Sequence, residues 1–426
     1  MERRFYKSLG EEVLWDVLPN GLNIAVVPRP GFTKKLAYFV TDYGAIHRQF
    51  TVDGTAFSAP AGVAHYLEHK LFDMPDRDVT AEFAALGASV NAFTGFDMTA
   101  YYFGCTDHFY ESLQLLLNFV TTPYFTEESV AKEQGIIGQE IGMYEDNPES
   151  KVFDLLMQSM YREHPVQTPI LGTVDSIAQI TPQVLARCHS AFYRPDNMLL
   201  CVVGDVDAQQ VRQIALNCTP DCPPAKVMTN RSWEEEMTCP SDYAEANMEV
   251  AMPMFQLGFK CEPLDRGEEA VKQELIGDLA AEALFGESSR LYLKLYEQGL
   301  IDSAFGGGFE TVEGMAMLTA FGDSDDPEAV YEAILEEAER LAEQGIPEAD
   351  FLRMKRSAMG RRIRGLDSFD SVCFRICAYH FSGFDYFRFP QVYESVSCQD
   401  LQAFLQRVAV RQRSSLACIY PKEERS

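Results

Sequence analysis

Residues 62–72 read GVAHYLEHKLF. His65 and His69 stand four apart with Glu68 between them, in a chain of seven histidines. On an α-helix, positions four apart lie about 40° round the axis from one another, so the two imidazoles face one way and can share a cation. Glu68 follows His65 by three and sits about 60° from it. It cannot easily ligate the same ion, but it can reach a water bound there. This is the chain-reversed form of H-E-x-x-H, and the roles transfer by geometry. Zn2+ takes imidazole nitrogens at about 2.0–2.1 Å, and a catalytic site needs a third protein ligand with water in the fourth position. The same spacing also suits an ordinary amphipathic helix with two half-buried histidines.

Glu133 and Glu140 favour the metal. They are seven apart, two helical turns, and share a face with Val130, Ile137 and Tyr144. Carboxylates thus occupy positions where a core helix should be apolar. A buried pair of them needs a cation or strong donors. Zinc with its histidines would satisfy both, one glutamate ligating and the other accepting from an imidazole N–H. A salt bridge to a buried arginine is the alternative. Gly135, Gly138 and Gly142 give this helix a small-residue side, which predicts close packing against a neighbouring helix.

The chain has 426 residues, 46% of them hydrophobic, and a net charge of -28. The length suits two to four domains. The acidity disfavours nucleic acid, suits solubility, and is compatible with basic substrates. The start, MERRFYKSLGEEVLWDVLPNG, has no signal-peptide core, and no apolar run could span a bilayer, so a cytoplasmic protein with no membrane partner is expected. The 11 cysteines are scattered through apolar stretches and read as reduced core thiols. The pairs Cys218/Cys222 and Cys373/Cys377 lack the second pair of a zinc ribbon.

The composition breaks over 217–247, where proline and polar residues replace periodic apolar signal. We read a linker at 221–246 between a zinc-binding half, 1–220, and a second half, 247–426, without metal ligands. The first half opens with strands, carries helices through 62–72 and from His108 to near Pro123, and has a hairpin at 91–105. Thr126 and Ser129 form a capping-box start for the helix bearing the two glutamates. The second half repeats this order, and its stretch 346–366 resembles the glutamate-bearing helix. In register, Glu133 falls against Met354 and Glu140 against Arg361, so only the first copy kept its carboxylates. The expected fold is α+β: two homologous α/β halves, each an antiparallel-rich sheet packed with helices, forming a clamshell. The basic residues Lys355, Arg356, Arg361, Arg362 and Arg364 suit a solvated face or partners of the acidic helix before them; a peptide-carboxylate site is the alternative.

Taken together, HYLEH at 65–69, NAFTGFDMTAY at 91–101 and KEQGIIGQEIGMYEDNP at 132–148 resemble the pitrilysin/insulysin family of inverted-motif zinc peptidases, which includes the mitochondrial processing peptidases. The likeness covers most of the chain. It is strongest to the small bacterial YmfH-like branch, through GVAHYLEHKLF, YFTEESVAKEQGIIGQEI and YREHPV. The resemblance implies that His65, His69 and Glu140 bind one zinc ion per chain, that Glu68 is the general base, and that Glu133 supports the site. It places Asn91 and Ala92, with Phe93 beside them, on an edge strand that pairs with substrate backbone. The separation from His69 to Glu140 is a few residues short for the family, and the loop 73–83 is where the shortening belongs.

One departure bears on function. Relatives that cleave peptides carry Arg and Tyr in a stretch like L-R-E-x-x-G-L-x-Y of the second half. Here, with one residue fewer between the two positions, Tyr296 stands for the Arg and Asp302 for the Tyr. A carboxylate cannot donate to an oxyanion unless protonated. Either Tyr296 substitutes in part or a partner subunit supplies the donors. We therefore expect a zinc endopeptidase or processing peptidase acting on unfolded peptides in an enclosed chamber. A homodimer, or a heterodimer with a metal-free relative, is the expected assembly. The rivals are a non-catalytic binding or assembly subunit on the same fold, and a structural zinc. The structural zinc would need a fourth ligand, and His108, the nearest candidate in sequence, reads as a surface or helix-start residue.

Overall fold

The computed structural model describes residues 1–75, 77–222 and 226–422. They form two compact units, each built on one principal sheet. The first unit comprises Met1–Ile141, Pro169–Asn230 and Ile363–Arg388. Its seven strands are β1 (Glu2–Tyr6), β2 (Glu11–Val17), β3 (Asn23–Pro28), β4 (Lys35–Thr41), β5 (Ser89–Thr94), β6 (Thr99–Cys105) and β7 (Met198–Gly204). Their order is β1-β2-β3-β7-β4-β6-β5. Only β3 and β7 pair in parallel. The central β7, MLLCVVG, is buried along its whole length, which explains its unbroken apolar run.

Two helices position the site: α1 (Val63–Phe72) and α2 (Glu127–Glu145), the latter belonging to this unit as far as Ile141. The start of α1 depends on Gly62. Its φ is 86°, and a Cβ there would lie 2.4 Å from the Leu171 carbonyl oxygen, so only glycine fits. The α2 N-terminus is closed by the expected reciprocal pair. Ser129 N–H donates to Thr126 Oγ1 at 3.1 Å, and Thr126 N–H to Ser129 Oγ at 3.2 Å. The helix Phe369–Ser382 lies against β7 and β4, with Cys373 and Cys377 among its buried residues.

The second unit comprises Gly142–Thr168, Arg231–Arg362 and Phe389 onward. Its strands are β8 (Tyr243–Met248), β9 (Met254–Cys261), β10 (Gly306–Val312), β11 (Met315–Asp323) and β12 (Ser414–Pro421), in the order β8-β12-β9-β11-β10. Only β8 and β12 run parallel. This repeats β3-β7-β4-β6-β5 strand for strand, in direction as well as order. The duplication read from the sequence is thus a duplication of topology. The helix α3 (Glu348–Arg364) occupies the place in this order that α2 holds in the first.

Three features differ from the sequence reading. The linker is not featureless: it contains the strand Val227–Thr229, and β8 begins within it at Tyr243, while 223–225 lie outside the described residues. The compact units also interleave along the chain. Segment 142–168 clusters with the second sheet and 363–388 with the first, because both bury their helices on sheets far away in sequence. Finally, Gly135, Gly138 and Gly142 do not serve close packing. A Cβ on any of them would meet nothing within 4 Å. The apolar contacts of α2 come from Val130, Ile137 and Ile141 instead.

Candidate metal centre

His65 and His69 project from successive turns of α1, their ring centroids 4.6 Å apart. The Tyr66 hydroxyl donates to the Val130 carbonyl at 2.5 Å, fixing α1 against the α2 turn that precedes Glu133. That register delivers both glutamates to the histidines. Glu140 Oε2 lies 3.4 Å from His69 Nε2, and Glu140 Oε1 lies 3.7 Å from His65 Nε2. Glu133 Oε1 accepts from His69 Nδ1 at 3.1 Å. Among the described residues neither carboxylate pairs with an arginine, which removes the salt-bridge alternative.

The two glutamates are not equally buried. Glu133 is 12% exposed and Glu140 is 42% exposed. The expectation of a buried pair therefore holds for Glu133 alone. Glu133 needs its imidazole partner, whereas Glu140 reaches the histidines from a more open side.

Charge separates the rings. Burial, and then the neighbouring His69, push His65 down to about 3, so it stays neutral with a lone pair to offer. Its Nδ1 is buried without a hydrogen-bond partner, so packing rather than a second bond orients the ring. For His69, burial opposes the charged form, but the Glu133 hydrogen bond and the charges of Glu140, Glu133 and Glu68 prevail and hold it above the ordinary value. The carboxylates around His69 thus favour its proton. A divalent ion would replace it.

His65, His69 and Glu140 each offer an atom, and these atoms lie within 4.8 Å of one another. Ligands at about 2.0–2.1 Å in a tetrahedral shell stand about 3.3 Å apart. The 3.4 and 3.7 Å separations come close to that edge. Two imidazoles and a carboxylate are also the donor types zinc prefers, so these residues fit the ion. No fourth His, Cys, Asp or Glu of the described residues joins the group. His108 is exposed, opens the helix Phe109–Thr121, and lies 3.7 Å from Glu111.

Glu68 stands beside this set. Burial raises its pKa, the Thr94 hydrogen bond and the His69 charge pull it back, and the Glu140 charge adds to the rise. Thr94 Oγ1 donates to Glu68 Oε2 at 2.5 Å. Thr94 lies one residue beyond the sequence-predicted Asn91, Ala92 and Phe93, and a hydroxyl closing a strand carries no periodic signal that would single it out. Asn91, Ala92 and Phe93 lie on β5, the edge strand of the first sheet. Phe93 packs against Tyr102 and Phe374 at centroid distances of 6.3 and 6.0 Å. Tyr296 belongs to the second unit, on the helix Arg290–Glu297. It is 53% exposed and stacked on Tyr292 at 5.9 Å. The basic run near Arg361 is largely taken up internally. Arg361 pairs with Glu282, Arg362 with Glu274, and Lys355 donates to the carbonyls of Glu394 and Val396. No helix among the described residues is long and apolar enough to cross a membrane.

Comparison with known proteins shows the family. The family model for insulinase (peptidase family M16) matches residues 56–174, and that for the peptidase M16 inactive domain matches residues 179–358. The uncharacterized zinc protease YmfH of Bacillus subtilis (strain 168) is 37% identical over 98% of this chain and 98% of its own. A crystal structure described as an M16-like peptidase from Alicyclobacillus acidocaldarius is 32% identical, with a TM-score of 0.93 over 97% of this chain and 99% of that one. A protease from Helicobacter pylori, 20% identical, shares the fold with a TM-score of 0.82 over 96% of this chain and 100% of its own. With two family models side by side along the sequence and an end-to-end relative among the zinc proteases, the chain belongs to the M16 family of peptidases.

Proposed function

We propose that this chain is a zinc-dependent endopeptidase that hydrolyses unfolded peptides, holding one zinc through His65, His69 and Glu140. The observation that carries this reading is the convergence of those three side chains with Glu68 beside them and outside the donor set. Zinc at that position would polarise a scissile carbonyl and acidify a water to a pKa of about 7. Glu68 takes the proton from that water and delivers it to the leaving amine. Glu133 fixes the His69 tautomer by accepting at Nδ1 and leaves Nε2 free as a donor atom. Substrate binds extended along the open edge of β5, pairing its backbone with the strand of Asn91, Ala92 and Phe93.

With Tyr296 and Asp302 in place of the family's Arg and Tyr, the donors that steady the oxyanion come in part from Tyr296 and in part from a partner subunit. That partner is a second copy or a metal-free relative, and the assembly encloses the substrate. The same carboxylate at position 302 favours one second reading, a non-catalytic binding subunit. A library of unfolded basic peptides, offered with and without a candidate partner and read by mass spectrometry, separates these. Cleavage in the competent assembly is expected. Peptides captured but uncut by every zinc-loaded assembly would support the binding subunit, and full turnover by the monomer would remove the need for a partner.

A further inference from the structure

We infer that Thr94 is a positioning residue for Glu68: its hydroxyl holds the carboxylate beside the donor set through one oxygen and leaves the other for the proton. The inference deepens the peptidase reading and rests on it. The geometry begins in the hairpin. Gly95 N–H donates to the Met98 carbonyl at 2.8 Å, so 95 and 98 form a hydrogen-bonded pair. Pairs in an antiparallel ladder alternate. With the register Thr94↔Thr99, Phe93↔Ala100 and Ala92↔Tyr101, Phe93 and Asn91 bond to β6, while Ala92 and Thr94 turn their backbone groups to the free edge. The Ala92 N–H agrees, since it donates to the side chain of Asn91 at 2.8 Å and not to β6. Thr94 therefore offers its backbone to the row an added strand would use, and its side chain to Glu68.

The hairpin tip is firmly held. Ala45 N–H donates to the Gly95 carbonyl at 3.0 Å and Ile46 N–H to the Phe96 carbonyl at 3.1 Å. A Cβ on Gly44 would lie 2.4 Å from the Phe96 oxygen, so the two segments meet backbone to backbone. Across the strand, Thr99 Oγ1 donates to the Tyr43 carbonyl at 2.8 Å. The hydroxyl that meets Glu68 thus sits on a fixed frame. Glu68 feels the charges of His69 and Glu140, and a carboxylate so placed that lost its own partner could swing toward an ion held there. Occupying Oε2 with a donor would keep Glu68 off an ion held by the donor set and leave Oε1 to accept a proton.

The test compares Thr94→Val, which keeps shape and strand preference but loses the donor, with Thr94→Ser, which keeps the donor. In the zinc-loaded chain Thr94→Val should lower kcat about tenfold or more while KM and zinc content stay at the parent values, and Thr94→Ser should restore turnover. A second readout needs no turnover. In the cobalt-loaded chain Thr94→Val should alter the visible bands as Glu68 moves onto the metal, and Thr94→Val combined with Glu68→Gln should return them. Unaltered bands and unaltered kcat in Thr94→Val would overturn the inference, as would a Thr94→Ser variant as impaired as Thr94→Val. If the zinc-loaded parent cleaves no peptide, the peptidase reading fails by itself. The cobalt bands then decide the Thr94 contact: altered and returned, it stands; unaltered, it falls.

Discussion

The helices α2 and α3 occupy the same place beside two sheets that share a five-strand order, yet only α2 carries the glutamates of the candidate metal centre. At one constant offset Val130 matches Phe351, Glu133 matches Met354, Ile137 matches Ala358 and Ile141 matches Arg362. All but Glu133 are buried, and Glu133 is nearly so. The burial pattern has survived duplication while the chemistry has not. At the Glu133 position, burial is tolerated because His69 donates to it. At Met354 an apolar side chain meets the same demand without a partner. The helix Gly267–Phe285, which answers α3 through Glu282 and Glu274, carries no histidine. A metal site on this scaffold is therefore decided by a few side chains on two helices and not by the fold.

The comparison can be broken at those positions. The largest effect is expected from Glu140→Ala, which removes a proposed zinc ligand and should weaken metal binding by well over about 100-fold, measured by competition with a chelator. Glu133→Ala should weaken it by about 10–100-fold, since it removes only the acceptor behind His69. The reverse order would mean that the two carboxylates exchange roles. Met354→Glu places a carboxylate at the counterpart of Glu133 with no imidazole to meet it. It should destabilise the second unit by about 3 kcal/mol in urea unfolding and bring no second zinc. Met354→Leu, conserving volume, should cost less than about 1.5 kcal/mol. Gly62→Ala should cost about 2 kcal/mol, from the left-handed φ and the approach of the Leu171 carbonyl.

Much of the site was legible in the sequence because it rests on helical periodicity. The spacings of His65, Glu68 and His69, and of Glu133 and Glu140, fix which side chains share a face, and the capping pair Thr126 and Ser129 fixes where that face begins. The hairpin around Asn91 was legible from its alternation. What could not be read depends on contacts between distant segments. The helices within 142–168 and 363–388 have ordinary amphipathic patterns that do not say which sheet they cover. The glycines of α2 suggested close packing, but whether a neighbour approaches is not written in a helix's own residues. The openness of Glu140 and the bond from Thr94 to Glu68 likewise belong to the meeting of elements.

The central claim is that ligands and base are separate groups: three side chains hold the metal and Glu68 moves the proton. Glu68→Gln tests it most directly, with zinc per chain and peptide turnover measured on the same preparation. The account predicts one zinc retained and turnover reduced by about 100- to 10,000-fold. Loss of the zinc, or turnover at the parent rate, would contradict it.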